Sequence, residues 1–323
     1  MRVVRVHEFG PPEVLRLEEA EAPEAVADQV VVAVEAAGVV FGDIVVRSGR
    51  HPFPVPYVPG LEVGGRVVEV GPDADPALLG QLVVAATADR SGGYAERAVA
   101  GSGQVFAVPR GLPVEQALAV FQAGAVALGL LEVMEVGPGD TVLVTAAAGR
   151  IGSLLVQLAA AAGARVVAAA RGAAKLDLAL RLGAAAAVDY DSPDWVERVR
   201  AATGGRGADV VLDAIGGELG RQAALAAAGG TGRLGVYGFT SGSWTDVGSG
   251  ELAGRGVTGS RPLTLAFRQP AGVQRARSER ALAQAAAGRL VPVVDRAFPL
   301  ERAAAAHHRL EQRRSAGAVL LTP

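Results

Sequence analysis

Cysteine is absent from this chain of 323 residues. That absence excludes disulfides, thiolate zinc sites, iron–sulfur clusters and a cysteine nucleophile together. It fits a cytoplasmic location. Lysine is nearly absent as well: Lys175 is the sole lysine among 31 basic residues. Ala, Gly and Arg are abundant in its place, a bias of the kind coding drift produces. Neither charge sign is in excess, with 33 acidic residues and a net charge of −2. A basic face that would neutralise nucleic-acid phosphate is therefore not implied. The most apolar runs, Val142–Val144 and Ser153–Ala162, are short. No segment is expected to supply the ~20 apolar residues that cross a bilayer. The opening MRVVRVHEFG lacks the apolar centre of a signal peptide. A Gly-x-Ser-x-Gly elbow is missing, so serine hydrolysis has no support. The four histidines show no metal-ligand spacing.

What is present is a large apolar fraction, 50% of residues, enough for a sizeable core. At roughly 150 residues per domain, the length implies two domains. Residues 1–118 read as β-rich. Val30–Val34 and Arg66–Val70 are strand-like, and dense Gly/Pro punctuation such as HPFPVPYVPG (residues 51–60) separates such runs. This pattern predicts a barrel-like or sandwich unit. From residue 119 to 261 apolar strands alternate with helices. Strands are expected at Thr141–Thr145, Arg165–Ala170, Ala187–Asp189, Asp209–Asp213, Arg233–Val236 and Val257–Ser260. Helices are expected up to Ala162 and at Ala173–Leu182, Trp195–Ala202 and Leu219–Ala228. Such alternation predicts a doubly wound parallel sheet covered on both faces. Beyond Arg261 the pattern loosens into helices near Ser278–Ala287 and Glu301–Gln312 and a final strand, Ala318–Leu321. A lone terminal strand needs partners, and the N-terminal β unit is the expected source, so residues 262–323 are expected to complete it.

The most informative segment runs from Thr141 to Arg171. A strand ends at Thr145, a turn of small residues follows, and a helix opens near Gly149. This is the strand–turn–helix context of a dinucleotide site, with Gly149 and Gly152 in G-x-G-x-x-G and Ala147 replacing the first glycine. Small residues let the backbone approach a pyrophosphate, and the helix N-terminus offers N–H groups to it. The second strand ends in Arg171, with Lys175 close behind, where an NAD site usually carries Asp or Glu. Cations there would bind a 2′-phosphate, so NADPH is the expected cofactor.

Several segments together carry a family resemblance: VHEFGPPEVL (6–15), AAGVVFGD (36–43), VPGLEVGGRV (58–67), GPGDTVLV (137–144) and HRLEQRRSAG (308–317). The chain resembles the medium-chain dehydrogenase/reductase superfamily, in its zinc-independent quinone oxidoreductase, zeta-crystallin-like branch. The resemblance implies a GroES-like catalytic domain built from both chain ends around a Rossmann domain, and a homodimer. It places Val40 and Leu61 where zinc members carry metal-binding Cys and His; neither side chain has a lone pair to offer, so no metal is expected. It assigns Ala148, Gly149, Arg150, Ile151 and Gly152 to the pyrophosphate turn. Arg150 stands for a usual Gly and either touches phosphate or points to solvent. Lys175 and Tyr190 match positions that bind the 2′-phosphate end, Tyr237 and Gly238 match the segment near the nicotinamide, and Arg313 matches a C-terminal cation near the cofactor.

Against the branch pattern, polar side chains are missing from the substrate side. Val40 stands for Asn, Ala125 for Thr, Val45 for Tyr and Phe239 for Asn; His51 occupies a second Tyr position. With Phe53 these residues describe an apolar substrate wall. The expected reaction is hydride transfer from NADPH to a small hydrophobic quinone or conjugated enone. His51 is the expected proton donor, because an imidazole titrates near pH 6.5; a surface-loop histidine is the competing assignment. Asp43 matches a family Asp and is the second candidate catalytic residue, expected there as a structural hydrogen-bond partner more than as an acid. An enoyl reductase tailoring a polyketide-like metabolite and a non-catalytic NADPH-binding protein are the alternative functions.

Overall fold

The computed structural model describes residues 1–323, the side chain of Ser249 excepted. The chain divides into two compact units, residues 1–121 with 292–323, and residues 122–291. The strands and helices in chain order are β1 (Arg2–Val6), β2 (Leu15–Glu19), β3 (Gln29–Val39), α1 (Phe41–Arg47), β4 (Glu62–Val70), β5 (Leu82–Ala86), β6 (Arg97–Gly101), β7 (Val105–Ala107) and α2 (Val114–Val133). Then come β8 (Thr141–Thr145), α3 (Arg150–Ala161), β9 (Arg165–Ala170), α4 (Ala173–Arg181), β10 (Ala186–Asp189), α5 (Trp195–Ala202), β11 (Val210–Asp213), α6 (Gly217–Leu225) and β12 (Arg233–Val236). The remainder is α7 (Ser249–Gly254), β13 (Thr258–Ser260), α8 (Pro262–Phe267), α9 (Ala271–Ala286), β14 (Val294–Pro299), α10 (Ala303–Glu311) and β15 (Ala318–Thr322).

The first unit is built on β3. Its Val-rich sequence QVVVAVEAAGV is buried along most of its length because β4, β6 and β15 all pair with it. The seven-stranded sheet runs β14-β15-β3-β4-β5-β7, with β6 on β3. Strand β15 lies antiparallel on β3, Val319 opposite Val39, which answers the sequence's demand for a partner. Val30, Val32, Val63, Val83, Val319 and Leu321 form one buried cluster. Each such side chain is worth about 1.5–3 kcal/mol when fully buried, so the last strand is part of the core. Strand β14 was not foreseen. Its burial alternates weakly, and its pattern carries no clear period.

The second unit is a six-stranded, all-parallel sheet in the order β10-β9-β8-β11-β12-β13. The strand order reverses between β8 and β11, which is where such sheets open a crevice for ligands. The expected strands and the helices of the 141–202 stretch lie within a residue or two of the observed ones. Helix α6 begins earlier and ends earlier than expected, because Ala226 closes it ahead of the turn at Gly230.

Two expectations are corrected. One helix, α2, is long and apolar enough by length and composition to cross a membrane, with a mean hydropathy of 1.6 over its best window. Its apolarity is explained by core packing, since 78% of that window is buried. The sequence reading missed it because the helix is apolar nearly all round and shows no helical period. Second, residues 262–291 belong with the parallel sheet and not with the terminal strand. Pro262 packs beside Gly235 of β12, and the buried Arg277 of α9 grips Glu132 of α2 at 2.6 and 2.9 Å. Gly129 makes this close approach feasible: a Cβ there would lie 2.9 Å from the Arg277 guanidinium.

Candidate functional site

The dinucleotide turn is built as the sequence requires, with one displacement. The left-handed residue is Ala146, at φ 49°, and not Ala147, the residue that replaces the first glycine. Ala147 and Ala148 are buried, and the Ala147 amide bonds to Ala169 on β9. Gly149 is the N-cap of α3 and makes no side-chain cap. A glycine cap brings no side-chain oxygen to the first turn of α3, the arrangement that suits a phosphate. Gly152 is fixed by packing: a Cβ would sit 2.2 Å from the Ala146 carbonyl oxygen.

At the adenosine end, Tyr190 is buried directly after β10 and Lys175 is half-buried in the first turn of α4. Arg171, expected to meet a 2′-phosphate, is paired with a carboxylate in this structure. Its Nε lies 2.6 Å from Asp191 Oδ2, and its Nη2 donates to Oδ1 at 3.0 Å. The hydrogen-bonded Asp191 carboxylate holds this guanidinium further above its ordinary range. Asp189 accepts from the amides of Gly172 and Asp191, both at 3.0 Å. Arg313 follows α10 in the other unit, with φ 54°.

Two residues that sequence reasoning missed hold this unit together. Asp213, at the end of β11, is fully buried and accepts from Thr145 Oγ1 (2.8 Å), the Ile215 and Gly216 amides (3.0 Å each) and Thr245 Oγ1 (2.5 Å). A carboxylate ending an apolar strand, VVLD, was the signal available for Asp213. Trp244 stacks on Phe239 with centroids 4.5 Å apart, and Arg261 lies 4.8 Å from the Trp244 ring centre. The Tyr237 hydroxyl is buried with no hydrogen-bond partner, and Gly238 is pressed against the Ala214 carbonyl, where a Cβ would be 2.5 Å away. Burial, with the charge of Asp213 in support, pushes the Tyr237 hydroxyl well above the usual tyrosine range. An orphaned buried donor and an uncapped helix start both suit a polar dinucleotide. The residues of this unit fit such a cofactor.

The first unit carries Val40, Val45, His51 and Phe53 on one segment, with Ala125 and Phe239 in the other unit. Val40, Val45 and Phe53 are half-buried, and Phe53 packs on Tyr57 at 4.8 Å. His51 is exposed in a turn. Asp43 does not fit the role of a catalytic acid. It is buried and accepts from the Val40 amide (2.9 Å), the Gly60 amide (3.3 Å) and Tyr94 Oη (3.1 Å). Tyr94 Oη in turn lies 3.0 Å from Nε2 of the buried His307. Burial pushes the Asp43 carboxyl up to about 7 against these three donors, with Glu62 adding to the rise, and pushes His307 down to about 3.

Comparison with known proteins follows the same division. Residues 26–110 match the alcohol dehydrogenase GroES-like domain, and residues 151–264 match the zinc-binding dehydrogenase domain. The chain is 36% identical to a quinone oxidoreductase-like protein 2 homolog of Nematostella vectensis over 68% of this chain and 61% of that protein. It is 31% identical to a 2-haloacrylate reductase of a Burkholderia species over 98% of both. The structure of Escherichia coli quinone oxidoreductase complexed with NADPH superposes with a TM-score of 0.93 at 30% identity, over 100% of both chains. A GroES-like unit joined to a Rossmann sheet with an uncapped first turn defines an oxidoreductase of the nicotinamide-dependent class. The chain belongs to the medium-chain dehydrogenase/reductase superfamily, in its quinone oxidoreductase branch.

The zinc in that domain's name has no matching ligands here. Val40 and Leu61 carry no donor atom, and among the described residues no group of three or more His, Cys, Asp or Glu side chains is placed to hold a metal ion.

Two outcomes are expected. Asp43 has a folded pKa above its ordinary value of 3.8, so its contribution to stability is complete below pH 3.8 and is lost as pH rises through about 7. Denaturant melts should show the wild type losing stability relative to Asp43→Asn across that window; parallel curves would contradict the raised value. Tyr237→Phe removes an unpaired buried hydroxyl, so the nucleotide-free protein should gain about 1 kcal/mol. The same change should weaken nucleotide binding several-fold in a calorimetric titration, if the nucleotide is what satisfies that hydroxyl.

Proposed function

We propose that this protein is a zinc-independent, NADPH-dependent reductase of hydrophobic quinones or conjugated enones. The observation that carries the reading is the uncapped start of α3 after β8, with Lys175 and Tyr190 at the neighbouring strand ends. Bound there, NADPH supplies a hydride from its nicotinamide ring. The amides of the Gly149–Gly152 turn would hold the pyrophosphate, and Lys175 the 2′-phosphate. The Tyr237–Gly238 segment would take the nicotinamide end.

On the acceptor side, Val40, Val45 and Phe53 of the first unit offer half-buried apolar side chains in place of hydrogen-bonding groups. At about 25 cal/mol per Å² buried, such a wall favours flat apolar acceptors and orients them by shape. The reduced acceptor needs a proton. In the segment from Phe41 to Gly60 the titratable or charged side chains are Asp43, Arg47, Arg50, His51 and Tyr57. Asp43, Arg47 and Tyr57 are buried, and a guanidinium does not release its proton near neutrality, which leaves the exposed His51. A homodimer is part of this reading and comes from the family alone.

A second reading, reduction of a conjugated carbon–carbon double bond, has one specific support: the full-length similarity to a 2-haloacrylate reductase. NADPH consumption on a panel of quinones, enones and acrylates, with and without a chelator, separates the two. Binding of NADPH without turnover on any of them would leave a non-catalytic nucleotide-binding protein.

Lys175→Ala should weaken NADPH binding by about tenfold or more, the worth of a charge-assisted contact, and should leave NADH nearly unchanged. Equal loss for both nucleotides would remove the phosphate assignment. His51→Phe should lower kcat by at least about tenfold without altering NADPH affinity; unaltered turnover would hand the proton to solvent.

A further inference from the structure

We propose that Asp191 sets the cofactor preference of this protein by competing with the 2′-phosphate of NADPH for Arg171. The inference rests on the NADPH reading above.

Both ends of the Arg171–Asp191 pair are anchored. Arg171 directly follows β9, and the next amide, Gly172, donates to Asp189. Asp191 directly follows Tyr190, and its own amide donates to the other oxygen of the same Asp189 carboxylate. One carboxylate at the end of β10 therefore fixes the backbone on both sides of the pair. The guanidinium then meets Asp191 through two nitrogens, at 2.6 and 3.0 Å. The side chains keep 45% and 48% of their exposure, so the pair is reachable by a ligand and screened by water.

A guanidinium fork accepts a carboxylate or a phosphate in the same two-pronged manner. A phosphate monoester carries a charge of about −1.5 to −2 at neutral pH, against −1 for Asp191. NADPH must therefore displace Asp191 to use Arg171, and part of the phosphate attraction is lost in that exchange. NADH has no such group and leaves the pair intact. Asp191 thus narrows the gap between the two nucleotides, and Lys175 and Tyr190 carry the preference that remains.

The test is direct binding, read by the fluorescence of the reduced nucleotide. Asp191→Asn keeps the shape and removes the charge; Asp191→Ser serves as a second variant. Each should tighten NADPH by about two- to fivefold, the range an exposed pair supports, with NADH changed by less than about 1.5-fold. In an Arg171→Gln background the same change should give no tightening. The proposal is overturned by unchanged or weaker NADPH binding, which would make Asp191 neutral or a positioning residue for Arg171. It is equally overturned by tightening that persists without Arg171. Failure of the wild type to bind NADPH would remove the cofactor reading itself, and this inference with it.

Discussion

The carboxylate of Asp213 is the constraint on which the nucleotide-binding unit depends. A buried charge is tolerated only when its oxygens are filled with donors, and Asp213 has four. Those donors come from different elements. Thr145 is the last residue of β8, Ile215 and Gly216 follow β11, and Thr245 lies in the loop after β12. Thr145 Oγ1 also accepts from the Ala214 amide at 3.0 Å, and the Asp213 carbonyl accepts from Tyr237 at 2.8 Å. The ends of β8, β11 and β12 are thereby tied together where the strand order reverses. The small-residue turn ahead of α3 begins one residue after Thr145, so its position is inherited from this cluster. Gly220 completes the arrangement, since a Cβ there would fall 2.4 Å from Asp213 Oδ2 and 2.1 Å from Thr245 Oγ1.

The other unit has its own buried carboxylate, and the direction of its hydrogen bonds can be worked out. Tyr94 Oη has one proton, which goes to Asp43. Its contact with His307 Nε2 must then be one in which the histidine donates. Nε2 of His307 then carries a proton, and the downward push of burial favours the neutral ring. Its Nδ1 is left as a buried acceptor without a partner. Asp43 also accepts from Val40, so this chain of contacts sets the start of α1 and the course of the segment that carries Val45, His51 and Phe53. Arg47 reinforces the same helix by donating to the Gly10 carbonyl at 2.8 Å and pairing with Glu311.

Continuous apolar strands flanked by glycine made the parallel sheet legible, because a buried parallel strand needs no alternation to be recognised. The Gly149 and Gly152 positions were legible for the same local reason, a turn that must admit backbone. What escaped was contact between residues distant in sequence. Nothing near Arg171 announces that Asp191 will take it, since the pairing follows from β9 and β10 lying side by side. Asp43 was legible as a hydrogen-bonding residue, but its partners, Tyr94 and the Gly60 amide, were not. Helix α2 was missed because its face is apolar nearly all round, which leaves no period to detect. The domain boundary was misplaced because α8 and α9 are weakly patterned and join the sheet unit through contacts distant in sequence, among them Arg277 with Glu132 and Pro262 beside Gly235.

These two carboxylates also bear on how the substrate side can work. In the segment from Val40 to Phe53, two charged groups are turned to structural ends: Asp43 is filled by amides and a phenol, and Arg47 is held by Gly10 and Glu311. Val40, Val45 and Phe53 are half-buried, and Arg50 and His51 are exposed. Such a surface gains affinity from apolar area but has little means to fix a carbonyl by direct hydrogen bonds. Discrimination among acceptors would then rest on shape and on intrinsic electron deficiency more than on recognition of one functional group. A polar acceptor stripped of its waters would find few replacement donors on this segment, the exposed Arg50 and His51, and a cost of roughly 1–3 kcal/mol per unsatisfied group would fall on hydroxylated acceptors first. On the proposed reading, a segment so poor in free polar groups would exclude more than it recognises.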